Sequence, residues 1–193
     1  AGRDITTTSS NTFIGRRAAM EATGGAENVV IGSDACKTGP LTGNRNVVIG
    51  QAAGDSMTSA VNAVIIGHDA GAAVTSAQNV TIVGKEAGVV NTAHECTAFG
   101  SEAAKANTSG GDNSSVGYNS LPNVTSGNDN SGLGLDSGAT VTTGSNNIFV
   151  GSGADASASG ATYQFVIGVD VTSNGNSTTT IGYDTTEIAT NHG

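Results

Sequence analysis

Short apolar runs, each closed by a glycine, recur along the chain at a nearly constant spacing. Examples are residues 28–32 (NVVIG) and 147–151 (NIFVG). Three β-branched or apolar residues ending in glycine are typical of a short strand followed by a turn. Most closing glycines lie 17 residues apart. The pattern predicts a repeating strand-and-turn unit whose glycines are Gly15, Gly32, Gly50, Gly67, Gly84, Gly100, Gly117, Gly134, Gly151, Gly168 and Gly182.

This period predicts an all-β fold, a parallel β-helix or β-roll rod of about eleven coils. Each coil would pair in parallel with the next at about 4.8 Å, which makes the rod about 50 Å long. The repeat covers residues 11–186. We expect residues 1–10 to form an N-terminal lead-in and residues 187–193 a C-terminal connection. No stretch has a helical pattern.

An asparagine opens most of the strands, four residues before the glycine. Stacked amides can hydrogen-bond along the rod, although asparagine also favours turns. In three central repeats the polar residue stands one position earlier, at Asn62, Asn79 and Glu95. That shift predicts a one-residue bulge in these coils. The opening asparagines are Asn11, Asn28, Asn46, Asn113, Asn130 and Asn147.

Consecutive apolar residues within each run predict that both faces of the strand are buried, because neighbours in a strand point to opposite faces. The chain is only 36% apolar and has no tryptophan, which is little for a core that uses both faces. One face can fill the coil. We expect the other to be covered by further copies of the chain in a parallel homotrimer. The pattern weakens at Ser115 and Gly132, where such a bundle would be loosest.

The chain is acidic, with 7 Lys and Arg against 16 Asp and Glu and a net charge of -9. This balance argues against a nucleic-acid partner, because phosphate binding needs clustered cations. Asp69, Glu86 and Glu102 would stack in one ladder that could attract Ca²⁺. The glycine-rich repeat of calcium-binding solenoids is absent, however, so a solvated acidic face is favoured. No run is long enough for membrane insertion.

The cysteines and histidines predict no catalytic, metal or cofactor site. Cys36 and Cys96 would lie roughly 15 to 20 Å apart in stacked coils, beyond the reach of a disulfide, so we expect free thiols. His68, His94 and His192 fall at different positions of the repeat, and no catalytic motif surrounds them. We therefore expect a chain that is not an enzyme.

The repeats resemble the TG-x-N-N-x-x-I-G-x-x-A repeats of bacteriophage tail fibres, most clearly at residues 42–53 (TGNRNVVIGQAA). Residues 178–184 (TTTIGYD) resemble the segment that leads toward a tip or a self-cleaving chaperone in such fibres. Heads of trimeric autotransporter adhesins carry a similar repeat with a shorter period. The resemblance spans residues 11–186. It implies a homotrimeric virion fibre that reaches a cell-surface receptor, often a glycan.

Two classes of function follow, and the 17-residue spacing favours the first. The first is a structural and receptor-binding rod of a virion. The alternative is a bacterial surface adhesin or extracellular filament. A third class, the ice-binding solenoids, needs a regular Thr-x-Thr array, whereas the threonine triplets at residues 6–8 and 178–180 do not repeat through the middle.

Specific recognition is expected where the repeat breaks, because a regular rod presents the same surface at every level. The breaks are residues 37–41, residues 118–123, where we expect Tyr118 and Leu121 to be exposed, and the irregular end from Tyr163 onward. Exposed aromatic rings stack on sugars while neighbouring polar groups hydrogen-bond. The candidate receptor contacts are therefore Tyr118, Tyr163 and Tyr183.

Overall fold

A computed structural model describes residues 1–2, 9–184 and 186–191 as one all-β solenoid. Eleven consecutive strands run parallel in a single sheet, and a twelfth pairs antiparallel with the eleventh. The described residues contain no helix. The strands are β1 Thr12–Ile14, β2 Val29–Ile31, β3 Val47–Ile49, β4 Val64–Ile66, β5 Thr81–Val83, β6 Thr97–Phe99, β7 Ser114–Val116, β8 Ser131–Leu133, β9 Ile148–Val150, β10 Phe165–Val169, β11 Thr178–Tyr183 and β12 Thr186–Asn191. The predicted β-helical rod is confirmed.

Each strand pairs with the same repeat position in the next coil, so like residues stack. Val30 pairs with Val48, which pairs with Ile65. These middle residues of the strands are fully buried inside the coil. Because side chains alternate along a strand, the residues on either side of them point outward. The core is therefore a thin column enclosed by one chain.

The closing glycines of the repeat, which we call corner glycines, turn the chain at the end of the strands. Gly67 and Gly84 have φ of 141° and 142°, a region that L-residues rarely adopt. A Cβ at either position would overlap the carbonyl group of the corner glycine in the following coil. Gly182 differs, because it lies inside β11 and pairs with Gly168 and with Glu187 of β12.

The asparagines form two hydrogen-bonded ladders inside the rod. Asn46 Nδ2 donates to Asn28 Oδ1 at 2.9 Å and to the carbonyl of Ala60 at 2.8 Å. Asn147 Nδ2 donates to Asn130 Oδ1 at 2.9 Å in the second ladder. The side-chain amide of each of these asparagines therefore links two neighbouring coils by hydrogen bonds. The ladders satisfy backbone groups at the buried corner before each strand.

The bulge predicted for three central coils is wrong, because β4, β5 and β6 pair in continuous register. Asn62, Asn79 and Glu95 lie in the exposed turn before the strand, with φ near 57°. That left-handed turn suits asparagine. The ladder position itself holds three small or apolar residues instead of an amide, namely Ala63, Val80 and Cys96.

The interior stays filled where the strand pattern weakens. Leu121, expected to be exposed, is fully buried in a cluster with Val124, Val141 and Phe149. A Cβ at Gly132 would lie only 2.9 Å from Leu121 Cγ. The small residue of β8 thus makes room for a leucine from the adjoining turn. The expected exposure of Leu121 is wrong because the turn directs this side chain inward.

Both ends of the described chain contact the adjoining part of the rod. The Gly2 amide donates to the carbonyl of Ala18, so residues 1–2 contact the first coil. At the other end, β12 extends the sheet to Asn191 within the segment expected to be a connection. The threonine triplet at residues 6–8 and His192 lie outside the described residues.

Candidate functional site

An uninterrupted apolar column runs along the outer face of the sheet, formed by the third residue of β1 to β10 and its paired residue in β11. We call it the outer stripe. Its members are half-buried or exposed, and Ile14, Phe99 and Leu133 each expose more than half of their surface. Strand register places all of them in line. They are Ile14, Ile31, Ile49, Ile66, Val83, Phe99, Val116, Leu133, Val150, Ile167 and Ile181.

A second column shares this face, because residues two apart in a strand point the same way. It consists of the strand residues that stand two positions before the outer stripe, such as Val47, Val64 and Ile148. In six of the eleven coils this column holds Thr or Ser, and Ser114 and Ser131 of β7 and β8 are exposed. The single chain therefore leaves uncovered one continuous apolar column and a second column that is apolar in five of the eleven coils.

The residue that follows each corner glycine forms a third column, which changes character along the rod. The first six coils carry polar residues there, including Arg16, His68 and Lys85. From the seventh coil onward the column holds Tyr118, Leu135, Ser152, Val169 and Tyr183. Tyr118 and Leu135 are about half exposed. In the seventh and eighth coils the apolar face therefore shifts by one column toward the corner, since Ser114 and Ser131 replace the apolar residues of the second column.

The three tyrosines predicted to contact a receptor are exposed but are not brought together. Tyr118, Tyr163 and Tyr183 have exposures of 51%, 62% and 68%. Tyr118 and Tyr183 occupy the same column four coils apart, which is about 19 Å at the spacing of paired strands. Tyr163 lies in the turn before β10, on the side of the N-terminal ends of the strands, whereas Tyr118 and Tyr183 lie on the side of the C-terminal ends. They cannot form one compact site.

The acidic side chains predicted to stack do occupy one column, and lysine side chains pair with two of the three carboxylates, those of Glu86 and Glu102. Asp69, Glu86 and Glu102 occupy one left-handed turn position in successive coils. Lys105 Nζ lies 2.9 Å from Glu86 Oε2 and 3.1 Å from Glu102 Oε2. Hydrogen bonds from Lys105 and then Lys85 lower the pKa of Glu86 to about 2. The described residues contain no cluster of three His, Cys, Asp or Glu side chains suited to a metal ion.

Basic residues are confined to one part of the chain. All seven Lys and Arg residues lie in the first 105 positions, whereas residues 106–193 contain seven of the sixteen acidic residues. Glu95, Asp112 and Asp129 are exposed and occupy the turn before the strand in successive coils. The charged side chains of the C-terminal coils are therefore purely acidic.

A column of threonines that was not predicted occupies the turn five or six residues before strands β3 to β9. Most of its hydroxyls donate to the carbonyl of the next member, as Thr108 Oγ1 does to Thr125 at 2.8 Å. These hydroxyl groups thus join coils within the rod. A threonine eight or nine residues before the corner glycines from Gly50 to Gly151 is the pattern that indicates this column. The column is Thr42, Thr58, Thr75, Thr92, Thr108, Thr125 and Thr142.

The cysteines and the described histidines form no cluster suited to a metal ion, although Cys96 Sγ donates to the carbonyl of His94 at 3.3 Å. Cys36 and Cys96 are free, as predicted, and both are buried. Burial raises the pKa of the Cys36 thiol to about 12, which keeps it protonated. His68 Nδ1 lies 3.0 Å from Asp69 Oδ2, and His94 Nδ1 accepts a hydrogen bond from the amide of Gln78.

The residues of the repeat break at 37–41 lie partly on the surface and partly in the core. Lys37 Nζ lies 3.7 Å from Asp55 Oδ1, and Leu41 is fully buried. This loop therefore offers one basic side chain rather than an aromatic surface.

Comparison with known proteins does not assign the chain to a family. No protein-family model matches the chain, and no curated protein or solved structure matches it significantly. Within the described part of the chain, no helix has the length and apolar character needed to cross a bilayer.

Proposed function

We propose that this chain is a structural subunit of a virion tail fibre, a parallel homotrimer that mediates attachment to the host cell surface without catalysis. The outer stripe carries the proposal. Eleven stacked apolar residues form a straight column on the surface of the single chain. Exposed apolar surface of this length marks an interaction site, and further copies of the same rod have the matching length.

The strand face alone sets a lower bound on the contact that each chain can make. Ten steps of about 4.8 Å and three residues of about 3.3 Å give a face of about 50 by 10 Å, or about 500 Å². A standard interface buries about 800 Å² per partner, so the turns beside the strands would have to contribute the rest. Around a three-fold axis every chain would turn its outer stripe inward.

The charges beside the outer stripe in the first two coils are paired within the chain. Arg17 Nε lies 2.6 Å from Asp34 Oδ1, and Arg16 Nη2 lies 3.1 Å from Asp34 Oδ2. The proposed contact between chains therefore depends on the apolar stripe. Chains related by a closed three-fold axis along the rod run parallel, because rotation about that axis preserves their direction.

Immunogold labelling of virions and host cells with antibodies against the purified chain tests the function. The proposal expects gold along tail-associated fibres, and it expects the soluble protein to compete with virions for adsorption to cells. Gold on the bacterial envelope and not on virions would assign the chain to the surface adhesins. Labelled virions whose adsorption is unaffected by the soluble protein would leave a shaft without a role in attachment.

A further inference from the structure

Side-chain size changes in opposite directions in the two columns that flank the outer stripe. In the seventh and eighth coils the second column holds Ser114 and Ser131, which are both exposed. In the same two coils the third column holds Tyr118 and Leu135, which are about half exposed. Each of these coils therefore presents a serine on one flank of the stripe and a large side chain on the other.

The ninth coil reverses this order. Its second column holds Ile148, which is exposed, and its third column holds Ser152. The large side chain thus moves from one flank of the stripe to the other between the eighth coil and the ninth. Each of the three coils combines one large residue with one serine.

A three-fold arrangement brings these two columns together from different chains. Contacts around such an axis are heterologous, so one flank of each chain meets the opposite flank of its neighbour. Rotation about an axis along the rod also keeps equivalent coils at the same height. The third column of one chain would therefore face the second column of the next chain within the same coil.

We propose that the large third-column residues of each chain pack over the serines of the neighbouring chain, and that this contact sets the register of the homotrimer. Tyr118 packs over Ser114 of the neighbouring chain. Leu135 packs over Ser131 in the coil that follows. This inference rests on the proposed assembly into a parallel homotrimer and names the residues that align its chains. It assigns Tyr118 to the contact between chains instead of to a receptor.

Other registers lose this fit between large and small side chains. If a chain is displaced by one coil relative to its neighbour, Leu135 faces Ile148 and two large side chains compete for the same space. With the opposite displacement, Ser152 faces Ser131 and a void remains between them. Overpacking and cavities are both destabilising. The in-register arrangement avoids both in all three coils.

The contact also supplies area that the strand face lacks. That face provides about 500 Å² per chain, whereas a standard interface buries about 800 Å² per partner. An aromatic side chain buries about 150 to 250 Å², and Tyr118 is 51% exposed in the single chain. A phenol and a serine hydroxyl can each donate and accept a hydrogen bond. The polar tip of Tyr118 can therefore find a partner in the neighbouring chain.

A double-mutant cycle in the full chain tests the contact. Ser114→Tyr, Tyr118→Ser and the exchange variant that carries both are compared with the parent by the urea concentration at which half of the trimer dissociates, followed by sedimentation. Within one chain, three strand steps and a corner separate positions 114 and 118 by about 10 Å, so effects inside the chain should add. The matched control combines Tyr118→Ser with Ser131→Tyr. Circular dichroism of every variant checks that the coils are folded.

We expect each single variant to lower the midpoint by weakening the trimer about tenfold or more, and the exchange variant to recover most of the loss. The control should not recover, because its new side chain would face Leu135. Unchanged midpoints, purely additive losses, or equal recovery in the control would overturn the inference and leave the homotrimer standing. A folded parent that sediments as single chains would overturn both. Gold labelling of virions is read independently of either result.

Discussion

Substitution of a corner glycine perturbs the stacking of coils at its closest contact. Gly84 has φ of 142°, and a Cβ there would overlap the carbonyl group of Gly100 and lie 2.9 Å from the Ser101 amide nitrogen. These are backbone atoms held in register, since the Gly100 amide donates to the carbonyl of Val83 at 2.8 Å. The neighbouring coil therefore cannot move aside independently.

We expect Gly84→Ala to lower the free energy of unfolding by about 2 to 6 kcal/mol. Backbone strain at this φ contributes about 1 to 3 kcal/mol, and the overlap with Gly100 adds about 1 to 3 kcal/mol. The matched control is Gly88→Ala. Gly88 has φ of 51°, and Ala104 adopts φ of 49° at the same turn position one coil later. This control should cost about 1 kcal/mol.

Thermal unfolding followed by circular dichroism separates the two variants. For a chain of this size each kcal/mol lowers the melting temperature by about 2 to 4 °C. Gly84→Ala should therefore melt about 4 to 24 °C below the parent protein, and Gly88→Ala no more than about 4 °C below it. Equal melting temperatures for the two variants would refute the role assigned to the corner glycine.

Three further predictions concern the interior and the charged surface. Asn130→Ala should cost about 1 to 3 kcal/mol in chemical denaturation, because it leaves the carbonyl of Gly144 without its side-chain donor; an unchanged midpoint would contradict the ladder's role. The pKa of Glu86 is below its ordinary value of 4.5, so its stabilising effect is complete above about pH 4.5 and is lost as pH falls toward 2. Melting temperatures across that range should fall less steeply in Glu86→Gln. Cys36 should resist alkylation at pH 8 until the chain unfolds, and rapid labelling of the folded protein would show that it is accessible.

The strands and corners could be predicted because they depend on local residue types at a fixed spacing. A run such as 46–50 (NVVIG) has three β-branched residues and a glycine that the corner requires. Once the period was known, the parallel register followed. Hydrogen bonding between the stacked amides of Asn28 and Asn46 could also be expected, because asparagine recurs at one position of the coil, whereas the burial of these side chains was not predicted.

The features that could not be predicted depend on packing between coils. Leu121 is buried because Gly132, eleven residues later, leaves space for it. Asn62 suggested a bulge, but the buried position beside it accepts Ala63 without a change of register. The neutralisation of Glu86 by Lys105 joins residues nineteen positions apart. None of these pairings can be read from one repeat alone.

The molar mass of the folded protein in solution tests the central proposal most directly. Sedimentation equilibrium should give the mass of three chains of 18.8 kDa each. Val83→Asp, which places a charge in the middle of the outer stripe, should reduce the assembly toward single chains, because an unpaired carboxylate in an apolar interface is costly. A well-folded parent protein that sediments as a single 18.8 kDa chain at micromolar concentration would contradict the account.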